Sequence, residues 1–197
     1  MNAHFLILVF ALNLNAVTAF SNGMVTQACT AMIPGHASNT ASVLKPPYTI
    51  TTDVSNYTEG QTITVTLQAN QTGFRGFLLQ ARGEAGPVGT FTVVGNDSQL
   101  LNCTTEGSAV SHNSNVTKTT IVAQWKAPTI NNTNIRFRAT FVQNFSLFWV
   151  GVESDPVRFV GTNLTTTAPP PRTTTGGSSP AASLTMCLLL LPLLAIM

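Results

Sequence analysis

The chain has 197 residues and a formal charge of +2, with only 8% charged residues against 44% hydrophobic ones. An ordinary soluble domain carries about 25% charged residues, so ionised side chains are not what solvates this one. A balance of +2 is too small to indicate a nucleic-acid partner. With the two apolar ends set aside, the length suits one domain.

Residues 5–12 (FLILVFAL) are a short apolar run, and Val17, Thr18 and Ala19 follow as small residues of the kind a signal peptidase reads. They predict a signal peptide over residues 1–19, cleaved after Ala19. Residues 20–47 read as irregular, with Pro34-Gly35 and Pro46-Pro47 as breakers. Strand patterns begin at Tyr48. Residues 48–54 are Thr-rich and β-branched, and residues 62–67 place Ile63, Val65 and Leu67 on one face with Thr on the other. Glu59-Gly60 reads as the turn between them. Residues 76–82 and 88–94 follow, separated by a Gly/Pro turn. Residues 118–125 carry Ile121, Ala123 and Trp125 in phase. Residues 134–142 carry Ile135, Phe137, Ala139 and Phe141 in phase, with Arg136 and Arg138 opposite. Residues 147–152 and 157–160 complete the set. No 3.6-residue apolar period persists, so the pattern predicts an all-β fold, a two-sheet sandwich over residues 20–161. Trp125 and Trp149 are expected in its core.

Residues 162–183 change composition to Thr, Ser and Pro. Such a tract predicts a disordered, O-glycosylated stalk. Residues 184–197 (LTMCLLLLPLLAIM) are apolar but short, and no charge follows Arg172. A spanning helix needs about 20 apolar residues. Small residues, a spacer and an apolar tail instead match the signal for a glycosylphosphatidylinositol (GPI) anchor, with Gly176, Gly177 or Ser178 as the attachment site and the tail removed. The expected location is therefore the outer cell surface, with the membrane reached through a lipid anchor.

Asn-x-Ser/Thr sequons begin at Asn56, Asn70, Asn96, Asn102, Asn115, Asn131, Asn144 and Asn163. Their density predicts a glycoprotein whose glycans do the solvating that charge does not. Cys187 lies in the tail, which leaves Cys29 and Cys103. In an oxidising compartment their pairing is the default, the alternatives being two free thiols or a metal site.

The chain carries no HExxH, GxSxG or P-loop pattern. His36 and His112 are far apart in sequence, and the acids fall mostly in turns. The reading is a non-enzyme with no cofactor, and a His36/His112 metal pair is its weak competitor. Arg136 and Arg138, with Lys118, Lys126 and Arg158, make either a basic face for heparan-type glycans or an ordinary solvated sheet face.

One series of short motifs adds to this. Cys29-Thr30-Ala31-Met32-Ile33-Pro34-Gly35-His36 opens it, and Pro47-Tyr48-Thr49-Ile50 follows. Residues 74–82 (FRGFLLQAR), 87–91 (PVGTF), Cys103, His112, Lys118 and 125–128 (WKAP) come next. Residues 137–143 (FRATFVQ) and 148–152 (FWVGV) close it. In this order they resemble the reeler (reelin N-terminal) domain family. The resemblance implies an immunoglobulin-like β-sandwich and a Cys29–Cys103 disulfide. Reeler domains occur in reelin, F-spondin, insect defence proteins and the N-terminal domain of ferric-chelate reductase 1. A surface-anchored binding module in adhesion or innate defence is therefore the leading expectation, its partner an extracellular protein, glycan or microbial surface. A soluble defence effector is the alternative, and a redox or metal accessory protein the minor one.

Overall fold

The computed structural model of the chain describes residues 20–36, 38–130 and 132–161. The expected signal peptide, stalk and tail, with Gly176, Gly177 and Ser178, lie outside those residues, as do the sequons at Asn131 and Asn163. After one 3-10 turn, Thr26–Ala28, the strands are β1 (Tyr48–Thr52), β2 (Asn56–Tyr57), β3 (Thr62–Ala69), β4 (Gly76–Gly83), β5 (Gly86–Pro87) and β6 (Thr90–Val93). Then come β7 (Ser98–Leu101), β8 (Ala109–His112), β9 (Thr120–Lys126), β10 (Arg136–Asn144), β11 (Leu147–Glu153) and β12 (Arg158–Phe159).

A four-stranded sheet runs β1-β3-β9-β6, and a six-stranded one runs β11-β10-β4-β8-β7 with β5 beside β4. All pairs in both are antiparallel. The two sheets form the expected sandwich, and the period-2 alternation read from the sequence shows why. Ile63, Val65 and Leu67 on β3 are fully buried, as are Phe137, Ala139 and Phe141 on β10. The two inner faces meet through aromatic rings. Trp125 on β9 stands edge-on to Phe137 on β10 at 5.6 Å, and Tyr48 on β1 stacks on Phe141 at 4.7 Å. Each such side chain contributes roughly 1.5–3 kcal/mol by leaving water.

Both tryptophans are core residues, as expected, and each indole N–H is satisfied. Trp125 donates to the Val88 carbonyl at 2.8 Å, and Trp149 to the Leu44 carbonyl at 3.0 Å. Gly89 has φ +69, and a Cβ there would come within 2.4 Å of the Trp125 indole nitrogen. Only glycine fits that corner. A third, parallel pair, β12 with β2, closes one end. Its Tyr57 is buried against Trp125 and donates its hydroxyl to the Thr133 carbonyl at 2.6 Å.

Three expectations need correction. The strand foreseen over residues 118–125 begins at Thr120. Lys118 instead forms an isolated bridge with Phe74 and is buried. Its ammonium donates to the carbonyls of Val116, Ser114 and Arg75 at 2.7, 2.8 and 3.2 Å, so it does not belong to a basic face. Strands β2, β5, β7 and β8 were not foreseen, and β5 lies in what was read as a Gly/Pro turn. All four residues of β8 are buried, so it shows no alternation to read. The strand foreseen at residues 88–94 shrinks to Thr90–Val93, because Gly89 turns the chain.

Candidate functional site on the outer face of the large sheet

The β4–β10 register sets opposite one another, on the outer face, Gly76 and Val142, Leu78 and Thr140, Gln80 and Arg138, and Arg82 and Arg136. Residues 20–36 lie across the middle of this face. Ala28 and Met32 pack on Leu78, Leu101 and Ala109 in a small second cluster. The Cys29–Cys103 disulfide fixes the segment to the end of β7. Side chains of the sheet then clip its backbone. Gln80 Nε2 donates to the Cys29 carbonyl at 3.0 Å, and Arg82 Nη2 donates to the Cys29 and Thr30 carbonyls, both at 2.9 Å. Thr140 Oγ1 donates to the Met32 carbonyl and Gln99 Nε2 to that of Asn22. A buried polar side chain costs free energy unless it is paired. Gln80 and Thr140 are buried, and the leading segment supplies their partners.

His112 is another clip. Its Nδ1 lies 3.2 Å from both the backbone nitrogen and the carbonyl oxygen of Phe77, and its Nε2 lies 3.2 Å from the Phe20 carbonyl oxygen, to which it donates when protonated. Burial holds its pKa below the ordinary 6.5, partly opposed by the backbone hydrogen bonds. Gly23 has φ +70, and a Cβ there would lie 1.7 Å from the His112 carbonyl oxygen, so the segment can approach only as glycine.

At one end of the covered face is an apolar cleft of about 280 Å³, with Phe20, Val25, Met32, Leu78 and Val142 among its walls. His36 and His112 both line it, so the fold unites the two histidines the sequence left apart. His36 packs its ring on Phe145 and Phe148 at 4.7 and 5.4 Å, and burial lowers its pKa. The pair is ill suited to a metal, because the backbone holds both nitrogens of His112. Among the described residues no group of three His, Cys, Asp or Glu is placed to hold an ion.

At the other end is an open basin of about 530 Å³, lined by Arg82, Arg136, Arg138, Glu84 and Glu153. Arg136 Nε lies 3.8 Å from Glu153 Oε2, with both side chains about half exposed. Arg138 lies over Gly151, where a Cβ would come within 3.1 Å of its Nη2. Gly151 takes φ +74 at a bulge in which Val150 and Gly151 oppose the single residue Thr140. The Arg138 Nε is buried without a hydrogen-bond partner. Burial, and then the Arg138 charge, lower the pKa of Arg82. The geometry is thus two guanidiniums held against each other's field, one of them unsatisfied. Arg136 and Arg138 face away from the core as expected, and Arg82 joins them. Lys126 on β9 and Arg158 on β12 are exposed elsewhere.

Among the described residues, the sequon asparagines Asn56, Asn70, Asn96, Asn102, Asn115 and Asn144 are all exposed. Asn102 Oδ1 accepts the Gly107 N–H at 2.9 Å, and Asn144 Oδ1 those of Ser146 and Leu147 at 3.0 Å. These bonds use the oxygen and leave the amide nitrogen, where a glycan attaches, outside them. Asn115 and Asn144 line the cleft, whereas no sequon asparagine lines the basin.

The two antiparallel sheets and the one disulfide make an all-β sandwich, an architecture that immunoglobulin-like domains share. The family model of the reeler domain matches residues 27–165, and the chain belongs to the reeler-domain family. Mouse ferric-chelate reductase 1 is 42% identical over 154 residues, covering 75% of this chain and 25% of the reductase. The chain thus spans about a quarter of the length of the reductase relatives it matches. An Antheraea mylitta relative named "Putative defense protein 3" is 38% identical over 159 residues, covering 80% of this chain and 96% of that protein. The human F-spondin reeler domain superposes with a TM-score of 0.52 at 23% identity, over 62% of this chain and 95% of that one, which shows a shared fold. Among the described residues no helix is long and apolar enough to cross a membrane.

Proposed function

We propose that this chain is a non-enzymatic extracellular recognition module. It is a GPI-anchored glycoprotein that acts in adhesion or innate defence by binding an anionic glycan in the arginine basin. The observation that carries this reading is the Arg138–Arg82 pair. Two cations in mutual repulsion, with the Arg138 Nε buried and unpartnered, gain most from an anion between them. Among the described residues no sequon asparagine lines the basin, which leaves it open to a partner, since a bulky glycan there would block one. The expected test result is saturable, salt-sensitive binding of the full secreted chain to sulfated or phosphorylated polysaccharides and not to neutral ones. Arg138→Ala should weaken that binding at least tenfold. A folded chain that retains none of the anionic polysaccharides, or an Arg138→Ala variant that binds equally well, overturns the reading.

The insect relative that matches over 96% of its own length favours a second reading, a soluble defence effector. Phosphatidylinositol-specific phospholipase separates the two. Release of the chain from expressing cells supports the anchor, and a chain found only in the medium supports the soluble form. A redox or metal-accessory role would need His36 and His112 as ligands, and His112 is already committed to the backbone.

A further inference from the structure

We propose that the apolar cleft walled by Phe20, Val25, Met32, Leu78 and Val142 binds a medium-chain fatty acid, its chain in the cleft and its carboxylate at Arg75. This site is independent of the arginine basin. Four observations lead to it. First, the cleft is concave and apolar, with no Asp or Glu in its lining. Second, the exposed Arg75 at its edge has no ion pair among the described residues. An apolar slot beside one free guanidinium is complementary to a single-chain anion. Third, β4 and β10 are paired on both sides, so the cleft offers no strand edge to an extended peptide. Fourth, Gly76 keeps the floor open, since a Cβ there would come 3.1 Å from the His112 ring. About 280 Å³ gives room for a single acyl chain of medium length, so a ten-carbon acid is a fitting probe.

Decanoate is the probe. The full chain, secreted with its N-glycans, is titrated calorimetrically below the aggregation concentration of each amphiphile. Decanoate is expected to bind one per chain, at least tenfold more tightly than decyltrimethylammonium. Arg75→Glu should weaken decanoate at least tenfold and narrow or invert the preference. Val142→Trp, which fills the cleft, should abolish binding of both while anionic-polysaccharide binding at the basin persists. If Val142→Trp does not fold, the exposed Arg75→Glu decides alone. The proposal is overturned by a folded chain that ignores decanoate, by equal affinity for the two amphiphiles, or by an Arg75→Glu variant that binds unchanged. Binding that appears only after enzymatic removal of N-glycans also overturns it, because the cleft would then belong to the glycans of Asn115 and Asn144.

Discussion

The two faces of the six-stranded sheet are built on opposite plans. The inner face is apolar and redundant. Phe77, Leu79, Ala81, Phe137, Ala139 and Phe141 are all buried in one cluster with residues of the facing sheet. The outer face holds its cover by a small apolar cluster around Met32, by a few directional bonds from Gln80, Arg82, Thr140 and His112, and by one disulfide. Non-directional burial makes the inner face all-or-none, so losing a piece of it loosens the whole sandwich. The outer cover can be loosened locally, because Gln80, Arg82 and Thr140 each hold backbone of residues 20–36, and His112 alone also bonds a strand beneath, at Phe77. Both ligand sites proposed here adjoin that cover.

The sharpest way to break this contrast is in the core. Trp125→Ala leaves a cavity and an unpaired Val88 carbonyl and should cost about 4 kcal/mol, read as a lower denaturant midpoint with every strand exposed together. Replacing Cys29 and Cys103 by serine removes a cross-link with a sequence separation of 74, rated at up to about 4 kcal/mol by loop entropy. Hydrogen exchange should then rise first and most in residues 20–36. A uniform rise across β4 and β10 would show that the cover is not separable from the sandwich. Thr140→Val removes one clip and should cost about 1 kcal/mol, with faster exchange confined to the segment around Met32.

The smallest expected effect is on pH. Burial holds the folded pKa of His112 below 6.5, so its contribution is complete above about pH 6.5 and is lost as pH falls toward the depressed folded value. Burial penalises the charged ring, which is the largest cause of the shift. Protection of residues 20–36 should fall on acidification below that point, and His112→Gln should flatten the dependence. An unchanged profile in His112→Gln would assign the titration elsewhere.

The sandwich was legible because one buried and one solvated face leave a period of two. That held for β3, β9 and β10, down to the phase of Trp125 and Phe137. It failed for β8, which has both faces covered. Lys118 read as a solvated cation because nothing local shows three carbonyls converging on it. The clips were invisible for a related reason. Gln80 and Thr140 meet backbone 51 and 108 residues away, and a polar residue's role depends on such partners. The same distance hid the cleft, which joins Phe20 to Val142, and the basin, where Arg82 joins arginines from another strand.

The parallel β2–β12 pair has a mechanical consequence. Tension on the chain beyond residue 161 enters the sandwich through β12. There the Arg158 and Val160 N–H groups donate to the Ser55 and Tyr57 carbonyls at 3.0 Å each. A pull along the strand loads those bonds in shear, so they share the force and do not unzip one after another. Behind them Tyr57 is held by its buried ring and by its hydroxyl on Thr133. The end of the domain from which the chain departs is thus built as a latch.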